Sequence, residues 1–566
     1  MDRSDSGIQD ESPITAPEVQ WSPRRWAALS VLLAAGFMDL LDTTIVNVAI
    51  PSIRADLRAN YAAIQWIVAG YLLAVAVGLI TFGRLGDIAG RRRVFLAGVV
   101  GFGAMSLTCG LAPTPAVLVA ARVLQGVFAA AMIPQILSTI QVTFPRAEQR
   151  RALALYSTMA GVAVMSGPLL AGVLLSTLGL SWRSIFLINV PISVVVAVAT
   201  LAIVPESRAR EAQRLDLGGM GLISAALLAL VFGLIQGREL GWPAWVIGLM
   251  VASLALFVLF AGYERRKERR GGSPLVPLAL FSQRAFSAGL LVVLVFFSGV
   301  VGFFLAFTIF LQLGLGYSPL ESALTTFPSS VGLVIASLAS PKLLRRSGRG
   351  VLAAGALLMA AAMAGLVFTV NHYGGDLTAW DVRPVILVFG LGMGLILPSL
   401  ADVIIAGVHP SDAGAASGLV NTGLQVGNAI GVAIVGVILF SVLGAHAGNS
   451  AQLATPHIST QLAALGVPAD ERQQTVHDFQ RCFIDKAQQE DPAATPTSCR
   501  DQTARPTATQ DQGLRQALTT ATIQARKDNF AAAIQRALQY EVAVFIAAFA
   551  LLFLLPRTTG FHSAVP

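Results

Sequence analysis

GRLGDIAGRRRVFLAG, residues 83–98, is a glycine- and arginine-rich stretch set between two apolar runs, residues 64–82 and 94–111. Each run is close to the roughly 20 residues that cross a hydrocarbon core of about 30 Å. The stretch therefore reads as a tight loop between two membrane helices. Outward from it the same alternation continues, with apolar runs near 26–50, 116–136, 152–177, 184–204, 216–236, 244–262, 285–313, 321–340, 351–370, 384–407, 412–443 and 540–556. Fourteen spans joined mostly by short loops make an all-α polytopic membrane protein. Composition agrees: 55% of the 566 residues are hydrophobic and 12% charged, too apolar for an ordinary soluble chain. Residues 1–22 are polar and no small-residue cleavage site follows the first run, so that run is expected to remain as the first span.

The net charge of +8 does not point to nucleic acid, because the basic residues form no single patch; they recur in short clusters between the spans. One set of alternating loops, with both termini, holds 24 of the 39 Lys and Arg residues, from Arg84 and Arg91 to Arg93 through Arg265 to Arg270 and Arg345. The opposite short loops hold only Arg54, Arg58, Arg183, Arg238 and Arg383. Short cytoplasmic loops carry the basic excess, so both termini are expected in the cytoplasm and the chain in the plasma (inner) membrane.

One connection breaks the short-loop pattern. Residues 444–539 read as a long extracytoplasmic loop rich in Ala, Gln and Thr, with 488–512 irregular and a helix from Leu514 through Ile523 and Phe530 to Leu538 leading into the last span. Cys482 and Cys499 share this loop, in a compartment that permits a disulfide; whether they pair is left open by the sequence. Cys109, in the third span, reads as a core residue.

A second loop, PKLLRRSGRGVLAAG at 341–355, repeats the first at an offset of 258 residues: Leu85 meets Leu343, Gly90 meets Gly348 and Arg91 meets Arg349, while Arg345 replaces Asp87. The chain reads as a duplication. The implied parts are a tail at 1–25, a six-helix bundle at 26–204, an inserted helix pair with its linker at 205–284, five helices at 285–443, the loop at 444–539, and the last helix with its tail at 540–566. Parallel halves related by an axis along the membrane normal are a known transporter design.

On these motifs the sequence resembles the major facilitator superfamily, in particular its fourteen-helix drug:proton antiporter group, the EmrB/QacA type. The resemblance implies the major facilitator fold and assigns Gly83, Asp87, Gly90, Arg91 and Arg92 to a cytoplasmic gate. In the fourth span, LVAARVLQGVFAAA, it makes Arg122 an arginine that supports proton transfer, with Gln125 a turn away on nearly the same face. In the fifth, LYSTMAGVAVMSGPLLAGVLL, Gly167, Pro168 and Gly172 match the antiporter signature, while Ala154, Ala163 and Ala171 stand where that pattern has glycine. SWRSIFLINVP at 181–191 and NTGLQVGNAIG at 421–431 are further group-typical runs, the second with Leu424 where an arginine is expected.

The first span carries GFMDLLDTTIVNVAIP, residues 36–51, and a carboxylate at the centre of a bilayer costs about 2.5 to 3.5 kcal/mol on insertion scales. Asp39 and Asp42, three residues apart, share one helix face, which must look into the bundle. Two close carboxylates in a dry interior do not both keep their charge easily, so at least one can load and release a proton near neutral pH. Asp42 fits the group's LDTTIVNVAIP pattern and is the principal proton-coupling candidate; Asp39 is an accessory or cation-binding one. Gln125, Asn47 and Asp402 are candidates for the substrate cavity.

The expected activity is export of hydrophobic, cationic drugs or toxic compounds by alternating access, driven by the proton gradient and needing no cofactor or metal. Alternatives are export of an endogenous metabolite, antibiotic or lipid on the same fold, or a membrane sensor using the outer loop. Against an enzyme, the chain lacks GxSxG, HExxH, a Cys/His metal cluster and the phosphate-binding GxxxxGK[ST]. Expected partners are a small-molecule substrate and the lipid bilayer, with the protein a monomer.

Overall fold

The computed structural model describes residues 24–209, 215–276, 278–405, 408, 413–488, 495–500 and 510–555. Among these, fourteen helices are long and apolar enough to cross a membrane. We number them spans 1 to 14: Arg25–Leu57, Tyr61–Ala89, Arg91–Gly110, Pro115–Thr143, Arg151–Thr177, Ser184–Ile203, Leu217–Glu239, Ala244–Arg269, Arg284–Gly314, Pro319–Leu344, Arg349–Asp376, Ala379–Leu400, Ala416–Ala464 and Gln512–Leu552. Side chains set where several begin. The Asn60 Oδ1 atom accepts from Ala63 N at 2.9 Å to cap span 2, and Asp216 Oδ1 accepts from Gly219 N at 2.9 Å to cap span 7. Span 10 opens on a reciprocal capping box, in which Glu321 N donates to Ser318 Oγ at 3.2 Å and Ser318 N to Glu321 Oε2 at 2.8 Å.

The duplication in the sequence is a duplication in space. Within the first half span 1 packs on spans 5 and 6, span 4 on spans 2 and 3, and span 3 on span 6; in the second half span 9 packs on spans 13 and 14, span 12 on spans 10 and 11, and span 11 on span 14. Gly90 and Gly348, paired by the 258-residue offset, both hold positive φ, 110° and 51°, where a side chain would be strained. The halves join through span 2 against span 13 and span 5 against span 10, and span 7 of the inserted pair packs on spans 2 and 13. Because lipid is as apolar as leucine, these interfaces depend on close packing. A Cβ on Gly126 would lie 2.5 Å from the Tyr71 carbonyl oxygen, and one on Gly390 only 1.9 Å from that of Ser329.

At the end away from the gate loop the two halves touch. Tyr61 stacks on Phe440 with centroids 4.0 Å apart, Gln312 Nε2 donates to Val48 O at 3.0 Å, and Leu320 N donates to Ser176 Oγ at 3.1 Å.

The connection at 444–539 differs from the loop read in the sequence. Span 13 runs on without a break to Ala464, a helix of 52 residues, and the last helix begins at Gln510, 43 residues in all. At 1.5 Å per residue these are roughly 78 and 65 Å long, well beyond a bilayer. Between them lie Ala469–Gln488 and the short helix Thr497–Arg500, so the stretch read as irregular from 488 to 512 contains helix in each of its three described parts, 488, 495–500 and 510–512. The three long pieces bury Ala451, Ala454, Ile458, Leu462, Phe479, Ala521 and Ala525 in a core of their own. Cys482 and Cys499 form a disulfide there.

Candidate functional site

Span 1 extends beyond the apolar run that marks it. It passes through Pro51, which has no N–H to donate, and ends at Leu57. This moves its midpoint from residue 38 to 41, next to Asp42. Asp42 is fully buried, and its oxygens accept from three residues on two other spans. Arg122 Nη1 of span 4 reaches Oδ2 at 2.5 Å, Gln125 Nε2 of the same span reaches Oδ1 at 3.1 Å, and Asn189 Nδ2 of span 6 reaches Oδ1 at 2.8 Å. A buried ion pair holds only when its remaining donors and acceptors are also satisfied. Arg122, 2% exposed, donates further to the Ile67 carbonyl at 3.1 Å and to Gln125 Oε1 at 2.6 Å, and Gln125 Nε2 is shared with Ser106 Oγ at 2.8 Å.

Asp39, one turn earlier on the same face, is 6% exposed and turns to span 2, where the Tyr71 hydroxyl donates to its Oδ1. The guanidinium of Arg122 lies 4.2 Å above the Tyr71 ring. Tyr71 thus touches both halves of the site: its hydroxyl holds Asp39 and its ring face holds the arginine that holds Asp42.

Gln125, expected to line a substrate cavity, is instead wholly buried in the polar cluster and orients Asp42 and Arg122. Asn47 is half-buried, with no hydrogen bond to its Oδ1 among the described residues. Asp402 lies in the last turn of the helix Ala379–Ile405, and its side chain is outside the described residues. A cavity of about 640 Å³ opens between spans 2, 4 and 7, lined by Arg58, Asn60, Trp66, Thr114, Val119 and Gln236 among others; none of its lining residues belongs to the Asp42 cluster. The sequence reading missed Tyr71 and Ser106 altogether and quoted Asn189 only within a group-typical run. All three carried the same signal as Arg122, a polar side chain inside an apolar run.

The gate loop is built around Asp87. Arg91 pairs with its Oδ1 through Nη2 at 2.8 Å, one helical turn away across the Gly90 bend, and Ala209 N donates to the Asp87 backbone carbonyl at 3.2 Å. Glu206, beyond span 6, accepts from Arg92 N at 3.1 Å and lies 3.6 Å from Arg93. A Cβ on Gly90 would come within 2.7 Å of that carboxylate. Gly83 has ordinary room, since a Cβ there would lie 3.6 Å from Pro134, so of the two glycines Gly90 is the one the turn requires. Arg84 donates to the Pro274 carbonyl of the linker between spans 8 and 9. That linker is fastened to Asp216, which accepts from Leu275 N at 3.1 Å, from the Tyr263 hydroxyl at 3.1 Å and from Lys267 at 2.8 Å.

In the fifth span Gly167 lets span 1 approach so closely that a Cβ would meet Thr44 Oγ1 at 2.0 Å, and Gly172 meets Leu320 of the other half. Pro168 sits inside the helix, which widens into a π turn over Val173–Thr177 directly after Gly172.

The sequence profile of the Major Facilitator Superfamily matches residues 32–219 and 217–432, one match in each half. The chain belongs to the major facilitator superfamily. It is a membrane transporter of that superfamily rather than an enzyme. Over 537 residues it is 42% identical to a probable actinorhodin transporter of Streptomyces coelicolor, covering 94% of this chain and 92% of that protein. It is 38% identical over 426 residues to a tetracenomycin C resistance and export protein of Streptomyces glaucescens, covering 74% and 77%. A bacterial homologue of the human lysosomal transporter Spinster, solved inward-facing and unoccupied, superposes with a TM-score of 0.53 at 16% identity, over 94% of this chain and 98% of that one, and so shares the major facilitator fold.

Proposed function

We propose that this transporter exports hydrophobic small molecules, antibiotics and other toxic compounds among them, from the cytoplasm in exchange for protons. The observation that carries the proposal is the Asp42–Arg122 pair, sealed from solvent halfway along span 1 where spans 1, 4 and 6 meet. With Asp42 ionised the pair is neutral and holds the three spans together. A proton on Asp42 leaves Arg122 with an unmatched charge, because guanidinium does not give up its own proton. The two protonation states therefore favour different packings, which is what a gradient-driven switch between inward-facing and outward-facing conformers needs. Tyr71 extends the coupling to Asp39, and a cationic substrate suits Asp39, a carboxylate held by a phenol rather than by an arginine.

The conformer described here is closed at the end bearing Tyr61, Phe440 and Gln312. We assign that end to the outside: the short loops there are poor in Lys and Arg, and the Cys482–Cys499 disulfide belongs to an oxidising compartment. Both termini and the gate loop then face the cytoplasm. The proton gradient supplies enough work, since one charge crossing 100 mV is worth about 2.3 kcal/mol and each pH unit about 1.36 kcal/mol. In reconstituted vesicles an imposed pH gradient should accelerate ethidium transport by the wild type and leave Asp42→Asn unaffected; equal acceleration in both would refute the assignment. A narrower reading, export of one antibiotic, draws on the near-full-length match to the probable actinorhodin transporter. It predicts that actinorhodin competes with ethidium at concentrations where unrelated dyes do not.

A further inference from the structure

The second half holds a carboxylate that the mechanism above does not use. Glu541 of span 14 is 1% exposed, and among the described residues neither of its carboxyl oxygens has a hydrogen-bond partner. It faces span 9, where a Cβ on Gly299 would stand 2.6 Å from its Oε2, with the Phe545 ring alongside. Gly299 is fifteen residues from each end of span 9, so Glu541 sits halfway along that helix.

Among the described residues no charge is placed to match it. Span 9 has one charged residue, Arg284 at its start; span 11 has Arg349 at one end and His372, Tyr373 and Asp376 at the other; span 13 has only His446 and His457, both in its outer extension. From span 12, Phe389 reaches Phe545 at 6.0 Å, while Arg383 is stacked on Trp380. On its own helix the neighbours are the Tyr540 phenol and Arg536, which lies exposed and donates to Gln539 Oε1 at 3.1 Å. A bare carboxylate in such surroundings does not stay ionised; it takes up a proton instead.

The pseudo-symmetry gives the position a meaning. At the 258-residue offset Gly299 stands for Leu41 and Val300 for Asp42, and the contact of spans 9 and 14 repeats that of spans 1 and 6. In the first half that contact is Asp42 on span 1 with Asn189 on span 6. In the second half the acid has changed sides of the same contact, with glycine facing it.

We propose that Glu541 is a second proton-binding site, so that each half of the transporter carries one exchangeable carboxyl group. In this conformer Glu541 is the neutral acid; it releases its proton when the contact between spans 9 and 14 opens and water reaches it, and takes one up again on closing. An organic cation does not fit between Glu541, Gly299 and Phe545, which leaves the proton as the ligand. The inference rests on the proton-coupled reading of the previous section, but the two can fail separately.

The test is infrared spectroscopy of the purified full chain at neutral pH, wild type against Glu541→Gln, a variant that keeps the shape of the neutral acid. The wild type should show a protonated-carboxyl C=O band that Glu541→Gln lacks and that Asp42→Asn retains. Glu541→Asp should restore the band, which guards against loss of fold in the Gln variant. Identical carboxyl regions in wild type and Glu541→Gln would mean that Glu541 is ionised and would overturn the proposal. In vesicles, Glu541→Gln should lower the number of protons moved per ethidium about twofold, as loss of one of two carriers requires. An unchanged ratio in a variant that transports ethidium, beside an Asp42→Asn variant that has lost coupling, would leave the first site standing and remove the second.

Discussion

The two halves share a packing pattern and differ in what fills it. The interior of the first half, where spans 1, 2, 3, 4 and 6 meet, is polar: Asp39, Asp42, Tyr71, Ser106, Arg122, Gln125 and Asn189 form one connected network. The matching interior of the second half is aromatic, with Phe296, Phe303, Phe307, Phe389 and Phe545 in ring contact and Glu541 at their edge. Helix lengths, turn glycines and close backbone approaches therefore suffice to set the fold, while a few side chains at one helix–helix contact set the chemistry. The first half meets its buried carboxylate with an arginine and two amides, and the second leaves its own buried carboxyl group facing a glycine and a phenyl ring.

The largest effect expected from breaking that difference comes from Arg122→Ala. It leaves Asp42 buried without its cation, and loss of one partner of such a pair costs about 3–5 kcal/mol; thermal unfolding in detergent should show it, and Asp42→Asn in the same chain should recover part of the loss. A change outside both halves comes next. Cys482→Ser opens a loop closed by residues 17 apart, a loss of about 3 kcal/mol, confined to the outer extension, so that protease cleavage there should increase while ethidium transport continues. In the second half Gly390→Ala forces a methyl group against the Ser329 carbonyl, and overpacking of this kind costs about 1–3 kcal/mol. Gly126→Ala, at the equivalent contact of spans 2 and 4, has more room and should cost less on the same unfolding measurement.

The smallest effect is at the gate side. Burial opposes ionisation of Asp216, yet the hydrogen bonds from Lys267, Gly219 N and Tyr263 outweigh it and hold its carboxyl below the usual range. A folded-state value below the unfolded one, about 3.9, gives a contribution present above that pH and lost as the pH falls through the folded value. Asp216→Asn should therefore lower the unfolding temperature slightly at neutral pH, and the gap from wild type should close in acid.

The sequence made the spans legible because twenty apolar residues in a row have one reading, and the gate loop because glycine and arginine punctuate it. The outer extension was misread for a physical reason. Residues 444–464 are rich in Ala, Gln and Ser and contain Pro456, so they carry no strong apolar signal, although Ala451, Ala454, Ile458 and Leu462 recur at helical spacing and form the stripe that packs there. Asp42 and Arg122 could be picked out because each interrupts an apolar run at its middle. Glu541 could not: the last apolar run begins beside it, so it reads as an edge residue, and only its contact with Gly299 shows how deep it lies. That Asp39 and Asp42 turn to different helices was likewise invisible, since a shared helix face does not say which neighbour each side chain meets.

The central claim is that the protonation state of Asp42 selects the conformer. The most direct measurement is the distance between spin labels at exposed positions Arg58, at the end of span 1, and Leu453, on the continuous helix that extends span 13 of the second half, followed across pH. The wild type should move between two distance populations as the pH is changed, and Asp42→Asn should stay in the acid population throughout. If Asp42→Asn titrates between the same populations as the wild type, the switch lies elsewhere and the account fails.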